Sequence, residues 1–351
     1  MEQAAAGTGR RGLGLGESIG PATVQQVMDE FEAMVASGAP SHLRPLATGF
    51  TPLDEVLNGG MRPGELMIIG GPYGVGKTIL AMQIARNVVV QNPHSRVLYI
   101  CYEHDRTHLM SRLICLESAE QGSGEEALTL RRLSQLAFSP VEASGIISQL
   151  RQDPRYAVLM QTIAGYADRF VLAKASGAYT TMREIHGWID QLLLPEVEQL
   201  LVVVDYLQKV PVNRDLLQTE DEVTTVLTQE LKDIALSRGI HIIAIAASDR
   251  LGLRSKRMRL ADLRGSSALQ YETDIGIVLN RKYDIVSREH LIYNLSQADA
   301  MRAWVVLSVE KNRAGRNAVD MEYALDAAHF RFLSTGEFVR ERLVDEKAVL
   351  E

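Results

Sequence analysis

Residues 67–87 read MIIGGPYGVGKTILAMQIARN, and few folds can accommodate such a stretch. Met67, Ile68 and Ile69 predict a buried strand. Gly70 to Gly76 break it, and Lys77-Thr78 then open a helix whose apolar residues recur at helical spacing. Gly71, Pro72, Tyr73, Gly74, Val75, Gly76, Lys77 and Thr78 fit G-x-x-x-x-G-K-[ST], a phosphate-binding loop, with Ile79 next on the helix. The glycines let backbone N–H groups converge on an anion without interference from Cβ, and the helix N-terminus adds its dipole. Lys77 is expected to reach the β- and γ-phosphates of ATP, and the Thr78 hydroxyl to bind Mg²⁺. A glycine-rich turn that matches by chance is the competing explanation; the strand before and the helix after argue against it. The chain is expected to bind a nucleoside triphosphate.

Such a loop needs a large α/β core, and 351 residues with 46% hydrophobic side chains are enough to build one. Net charge is −7, so any nucleic-acid contact must come from a local basic patch. Cys101 and Cys115 are the two cysteines, both in apolar segments, as expected of reduced thiols inside a cell; a cytoplasmic location follows. Arg10-Arg11 precede no sustained apolar run, and no stretch is long enough to span a membrane.

In chain order, residues 1–20 are rich in Gly and Ala and predict a disordered tail. Pro21 to Ala36 predict a helix with Val24, Val27, Met28, Phe31, Met34 and Val35 near one face, closed by Ser37-Gly38-Ala39-Pro40. It forms, with residues to 45, a linker whose apolar stripe docks either on its own domain or on a neighbouring subunit. Residues 46–335 predict the main domain. Its aliphatic runs, above all Leu200–Val204 followed by Asp205, read as strands buried on both faces of a parallel sheet. Strands at 274–279, 303–309, 319–325 and 330–333 make a strand-rich C-terminal part, and residues 336–351 predict a charged tail.

Two carboxylates extend the phosphate site. Asp205, ending a buried strand, can hold Mg²⁺ opposite Thr78. Glu103, ending the strand at 96–102, can orient and deprotonate the attacking water; a plain helix-capping acid is the alternative. His104 and His108 stand four apart but have no further partner at metal-ligand spacing, so no metal site is expected there.

These segments together resemble the C-terminal motor domain of DnaB-type hexameric replicative helicases, within the RecA-like ATPases. The likeness rests on Thr48 to Asp54, on Gly59 to Leu66 leading into the phosphate loop, and on Tyr102 to Arg106 with Leu109, Arg112 and Leu113. It continues in Asp205-Tyr206-Leu207-Gln208, which reproduces the family's D-Y-L-Q. Asp262-Leu263-Arg264 with Ser266 and Asp274, and Lys311-Asn312-Arg313 before Gly315, complete it. The resemblance implies a RecA-like α/β core with a mostly parallel sheet and a C-terminal β-hairpin region. It implies a homo-oligomeric ring, Gln208 at the nucleotide, and Lys311 and Arg313 on a hairpin reaching the neighbour's nucleotide. It also places Arg250, Arg254, Lys256, Arg257, Arg259, Arg264, Gly265 and Ser266, with Asn213 and Arg214, in loops facing a channel for single-stranded DNA. From charge alone, a solvated loop explains the basic cluster equally well.

Two departures stand out. The family's N-terminal helical domain has no counterpart in the loose residues before the linker helix. Ala247 stands where the family carries a γ-phosphate-sensing Gln, and an alanine side chain cannot make that hydrogen bond. Two functions are therefore expected to compete. One is an ATP-driven helicase motor; the other is a RecA- or KaiC-like ATPase that uses ATP as an assembly switch on DNA or a protein partner.

Overall fold

The computed structural model of the chain describes residues 20–36, 44–122, 124–138, 145–212, 219–248, 255–286 and 300–344. The aliphatic runs become parallel strands: β1 (Leu66–Gly70), β2 (Ser95–Cys101), β3 (Phe170–Lys174), β4 (Gln199–Asp205), β5 (His241–Ile245) and β6 (Ile275–Arg281). Antiparallel strands β7 (Trp304–Asn312), β8 (Val319–Asp326) and β10 (Glu337–Phe338) extend the sheet beyond β6. The short β9 (Arg331–Phe332) pairs with β8. The spatial order is β10-β8-β7-β6-β1-β5-β4-β2-β3, so the phosphate-loop strand lies inside the sheet.

The helices are α1 (Val24–Ala36), α2 (Leu53–Val56), α3 (Lys77–Gln91), α4 (Arg106–Glu120), α5 (Leu130–Ala137), α6 (Ile146–Gln152), α7 (Ala157–Tyr166), α8 (Met182–Leu192), α9 (Glu220–Arg238), α10 (Ser266–Glu272) and α11 (Lys282–Ile285). Alternate residues of each inner strand feed two separate cores. Met67, Ile69, Tyr99 and Val203 pack with Leu80, Ile84 and Leu113 of α3 and α4. Leu66, Ile68, Ile100 and Val202 pack with Ile185, Ile189, Leu227 and Leu231 of α8 and α9. Because helices cover both faces, these strands show unbroken hydrophobic runs where a one-sided sheet would alternate.

Three boundaries differ from the sequence expectation. Helix α1 begins after Thr23 because Thr23 and Gln26 cap each other: Gln26 Oε1 accepts the Thr23 N–H at 2.8 Å, and Thr23 Oγ1 accepts the Gln26 N–H at 3.3 Å. Pro21 therefore lies outside it. Sheet pairing continues past 336, where a tail was expected. Phe338 and Glu337 pair with β8, and Lys282 binds Glu341 at 2.7 Å and Glu322 at 2.6 Å. Strand β7 runs through Lys311 and Asn312, so Arg313 is the first residue of the turn rather than its tip.

Candidate functional site

The parallel strands β1, β2, β4 and β5 all end on the same side of the sheet. The phosphate loop follows β1, Glu103 follows β2, Asp205 ends β4 and Ala247 follows β5. This is the carboxyl edge of a parallel sheet, where ligands bind in open α/β folds. There Tyr73, Gly74, Lys77, Thr78, Glu103, Arg112, Asp205, Ala247 and Phe330 line a cavity of about 290 Å³. A larger hollow of about 470 Å³ lies at the sheet edge against β3 and Trp188, away from the phosphate loop. Volume alone does not select the site; converging charges do.

The loop is shaped by its glycines. Gly71 has φ +145° and Gly76 φ +102°. A Cβ on Gly71 would stand 2.6 Å from the Leu279 carbonyl oxygen, and one on Gly76 2.7 Å from the Phe332 ring. Val75 turns inward and is fully buried, which anchors the loop while its backbone faces the cavity. The Lys77 ammonium folds over the loop, donating to the carbonyls of Gly71 at 2.8 Å and Pro72 at 2.9 Å. Tyr73 is exposed, its ring 5.9 Å from the Lys77 nitrogen.

Asp205 is buried, with Tyr99 donating to Oδ2 at 3.0 Å and Thr78 to Oδ1 at 3.4 Å. Among the described residues no group of three His, Cys, Asp or Glu side chains could hold a metal. One carboxylate and one hydroxyl nonetheless fit magnesium, which takes few protein ligands and completes its shell with phosphates and water. Asp105, not Glu103, caps α4: its carboxylate accepts the His108 N–H at 2.8 Å and the Thr107 hydroxyl at 2.6 Å. Glu103 is left exposed at the cavity.

The two central charges titrate near neutrality. Burial lowers the Lys77 pKa to about 8, although the Asp205 and Glu103 carboxylates pull it upward. Burial raises Asp205 to about 6, opposed by its Tyr99 and Thr78 hydrogen bonds. Lys77 is thus cationic and Asp205 anionic between these values. A triphosphate beside Lys77 raises the pKa of the ammonium, so above pH 8 binding takes up a proton. ATP affinity is expected to fall above pH 8, by up to about tenfold per pH unit. Titration calorimetry in buffers of different ionisation enthalpy measures that uptake. An affinity flat to pH 9.5 with no uptake would show that the Lys77 ammonium stays charged over that range, its pKa not lowered by burial.

Several expected residues have other employment. Gln208 does not enter the cavity: its Oε1 accepts the Ala247 N–H at 3.0 Å and its Nε2 donates to the Arg264 carbonyl at 3.3 Å. It ties the β4 and β5 loops together because both run past the end of β4. Arg257 is 6% exposed and donates to Asp320 and Ser308 on the sheet, so it is not open to a DNA groove. Arg259 pairs with Glu310 at 3.1 Å, and Arg264 with Glu220 at 3.3 Å. Lys256 is exposed, and Gly265 caps α10 with φ +76°. Ser266 is the first residue of α10. Arg250, Arg254, Asn213 and Arg214 lie outside the described residues.

Lys311 and Arg313 sit at the other end of the sheet. Lys311 Nζ donates to the carbonyls of Gln270 and Tyr271, and Arg313 reaches Tyr271 and Asp274. Arg281, Arg112 and Phe330, none with an expected role, border the cavity or its loop. Arg281, at the end of β6, donates to the Tyr73 carbonyl at 3.3 Å. The Arg112 guanidinium lies 5.1 Å from the Phe330 ring and 3.1 Å from His104 Nε2. His104 and His108 stack with ring centroids 4.7 Å apart.

A family model described as the DnaB-like helicase C terminal domain matches residues 45–332. The replicative DNA helicase DnaB of Treponema pallidum (strain Nichols) is 28% identical over 243 residues, 69% of this chain and 49% of its own length. The DNA repair protein RadA of Synechocystis sp. (strain ATCC 27184 / PCC 6803 / Kazusa) is 28% identical over 162 residues, 44% of this chain and 31% of its own. The chain spans about half the length of the DnaB relatives it matches. Among solved structures, the ATPase domain of G40P superposes with a TM-score of 0.68 at 18% identity, covering 90% of this chain and 99% of that one. A DnaB-like replicative helicase, described with its interactions with primase, superposes at 0.65 and 18% identity, covering 90% and 67%. At that identity the superpositions speak for the fold alone.

Proposed function

The chain belongs to the family of DnaB-like helicase C-terminal domains, and from that premise we propose that it is an ATP-hydrolysing, ring-forming motor that translocates on single-stranded DNA. The observation that carries the proposal is the convergence of Lys77, Thr78, Glu103 and Asp205 on one cavity while Lys311 and Arg313 sit at the far end of the sheet. Lys77 binds the β- and γ-phosphates. Thr78 and Asp205 hold magnesium, which offsets phosphate charge when bound. Glu103 orients the attacking water and accepts its proton.

Arg313 then serves a neighbouring copy. It is level with Asp274 at the start of β6 and Leu66 at the start of β1. The phosphate loop lies beyond the other end of β1, roughly 13 Å further at about 3.3 Å per residue. A side chain that stays bound to Tyr271 and Asp274 does not span that gap, whereas a head-to-tail neighbour closes it.

A second function is favoured by Ala247, whose N–H is taken by Gln208 and whose methyl group offers no hydrogen bond to phosphate. There ATP would drive assembly on DNA or a partner without unwinding. ATP hydrolysis with and without single-stranded DNA, beside particle images and forked-duplex unwinding, separates the two. DNA-stimulated turnover with unwinding supports the motor. ATP-dependent DNA binding without unwinding supports the switch.

Helix α1 exposes Val24, Val27, Met28, Phe31 and Val35 and buries none of its residues. We assign that stripe to a neighbouring subunit. Removing residues 1–38 is expected to leave a folded domain that assembles poorly; sedimentation showing intact rings would count against the assignment.

Of the basic residues described, we assign exposed Lys256 and Arg264, whose Glu220 partner is itself exposed, to single-stranded DNA. Replacing both with Ala is expected to flatten the salt dependence of single-stranded DNA binding, by about 0.7 in slope for each phosphate that is no longer neutralised. Arg257→Ala should act differently, costing about 2 kcal/mol of stability by removing a buried guanidinium and its bonds to Asp320 and Ser308, and leaving the slope alone. A lower slope with unchanged stability would return Arg257 to the DNA surface.

A further inference from the structure

Arg313 is held by one residue in two ways. Its backbone N–H donates to the Asp274 carbonyl at 3.0 Å, and its NH1 group to Asp274 Oδ1 at 3.3 Å. The second terminal nitrogen donates to the Tyr271 carbonyl at the end of α10. Asp274 is itself fixed from below. Its Oδ2 accepts the Leu66 N–H at 2.8 Å and the Lys232 ammonium at 2.7 Å, and its own N–H donates to the Leu66 carbonyl at 3.0 Å. The Asp274 side chain is 6% exposed, whereas that of Arg313 is 50% exposed. A buried carboxylate and a backbone carbonyl thus hold the two terminal nitrogens of a guanidinium that is half exposed.

We propose that Asp274 is the positioning residue for Arg313, setting the angle at which the guanidinium is presented to the neighbouring copy's nucleotide. The proposal rests on the trans-acting role given to Arg313 above. Guanidinium chemistry makes the double duty possible. With one hydrogen of each terminal nitrogen engaged, the Nε–H and the remaining hydrogens can still donate to phosphate oxygens. The anchor therefore need not be released for the finger to act. A lysine at 313 has no planar fork to divide between carboxylate and phosphate. The rotamer entropy of a long, half-exposed side chain is restricted before the subunits meet, which is how preorganised charge acts in a transition state. Lys232 balances the buried carboxylate, so the Arg313 bond does not have to neutralise it alone.

The test is steady-state ATP hydrolysis by full-length Asp274→Asn, Arg313→Ala and the double variant, with thermal unfolding measured alongside. Asparagine keeps an acceptor for the Leu66 N–H but loses the charge that grips the guanidinium. Asp274→Asn is expected to lower kcat by about 10²-fold, the cost of a misplaced catalytic group, at unchanged KM for ATP. The double variant should be no slower than Arg313→Ala, because a finger that is absent cannot be misplaced. Arg313→Lys should resemble Arg313→Ala.

Full kcat in Asp274→Asn beside a slow Arg313→Ala overturns the proposal alone. So do losses that multiply in the double variant, which would mark Asp274 as merely structural. Full kcat in Arg313→Ala removes the finger itself, and the proposal with it. Should Asp274→Asn fail to fold, Asp274→Asn/Lys232→Gln relieves the stranded ammonium and gives the same readout.

Discussion

Glu103→Gln is expected to bind ATP as tightly as the unaltered chain and to hydrolyse it about 10²- to 10⁴-fold more slowly. Glutamine keeps the volume and a hydrogen-bonding oxygen but cannot accept the proton of an attacking water. The alternative role for Glu103, capping the following helix, is already filled by Asp105, so the substitution should leave α4 intact. Lys77→Ala gives the contrast: it removes the ammonium over the loop and should weaken nucleotide binding itself. Equilibrium binding of a labelled nucleotide, beside single-turnover hydrolysis, separates the two effects. Unmodified turnover in Glu103→Gln would move the base elsewhere in the cavity.

Arg313→Ala is expected to slow hydrolysis by about 10³- to 10⁵-fold, as loss of an arginine finger does. Complementation tells whether it acts between subunits. Arg313→Ala copies keep a complete phosphate loop, and Lys77→Ala copies keep the finger, so each alone should be nearly inactive. Mixed before assembly, some interfaces join an intact loop to an intact finger, and hydrolysis should partly return. Mixed assemblies that form but recover nothing would place the role of Arg313 within its own subunit or outside the chemistry.

What sequence made legible was whatever is encoded locally. The glycine spacing of the phosphate loop, the aliphatic runs and the carboxylates at their ends are short-range patterns, and their strands and cavity lie where those patterns put them. Pairings across long separations were not legible. The basic cluster is a run of like charges in one dimension, and nothing in it marks Arg257 as facing inward. Its partner Asp320 stands 63 positions away on β8. Gln208 was expected at the nucleotide from its motif, yet its amide bridges two backbone segments that meet only in the folded sheet. Asp274 meets Leu66 across 208 residues, through the register of β1 with β6. Arg281 and Phe330 reach the loop and cavity by the same kind of closure.

With β7 antiparallel to β6, the role proposed for Arg313 would make the chain a vectorial building block with a receiving end and a donating end. Copies joined this way meet through unlike surfaces, so they close into a ring only if each step's rotation divides the circle, and otherwise climb as an open helix. A closed ring of n copies would hold n complete sites. An open row would hold n − 1, with an idle cradle at one end and an idle finger at the other. Turnover per subunit should therefore climb as rows lengthen and reach its ceiling at closure, which turns specific activity across a dilution series into a gauge of whether the circle is shut.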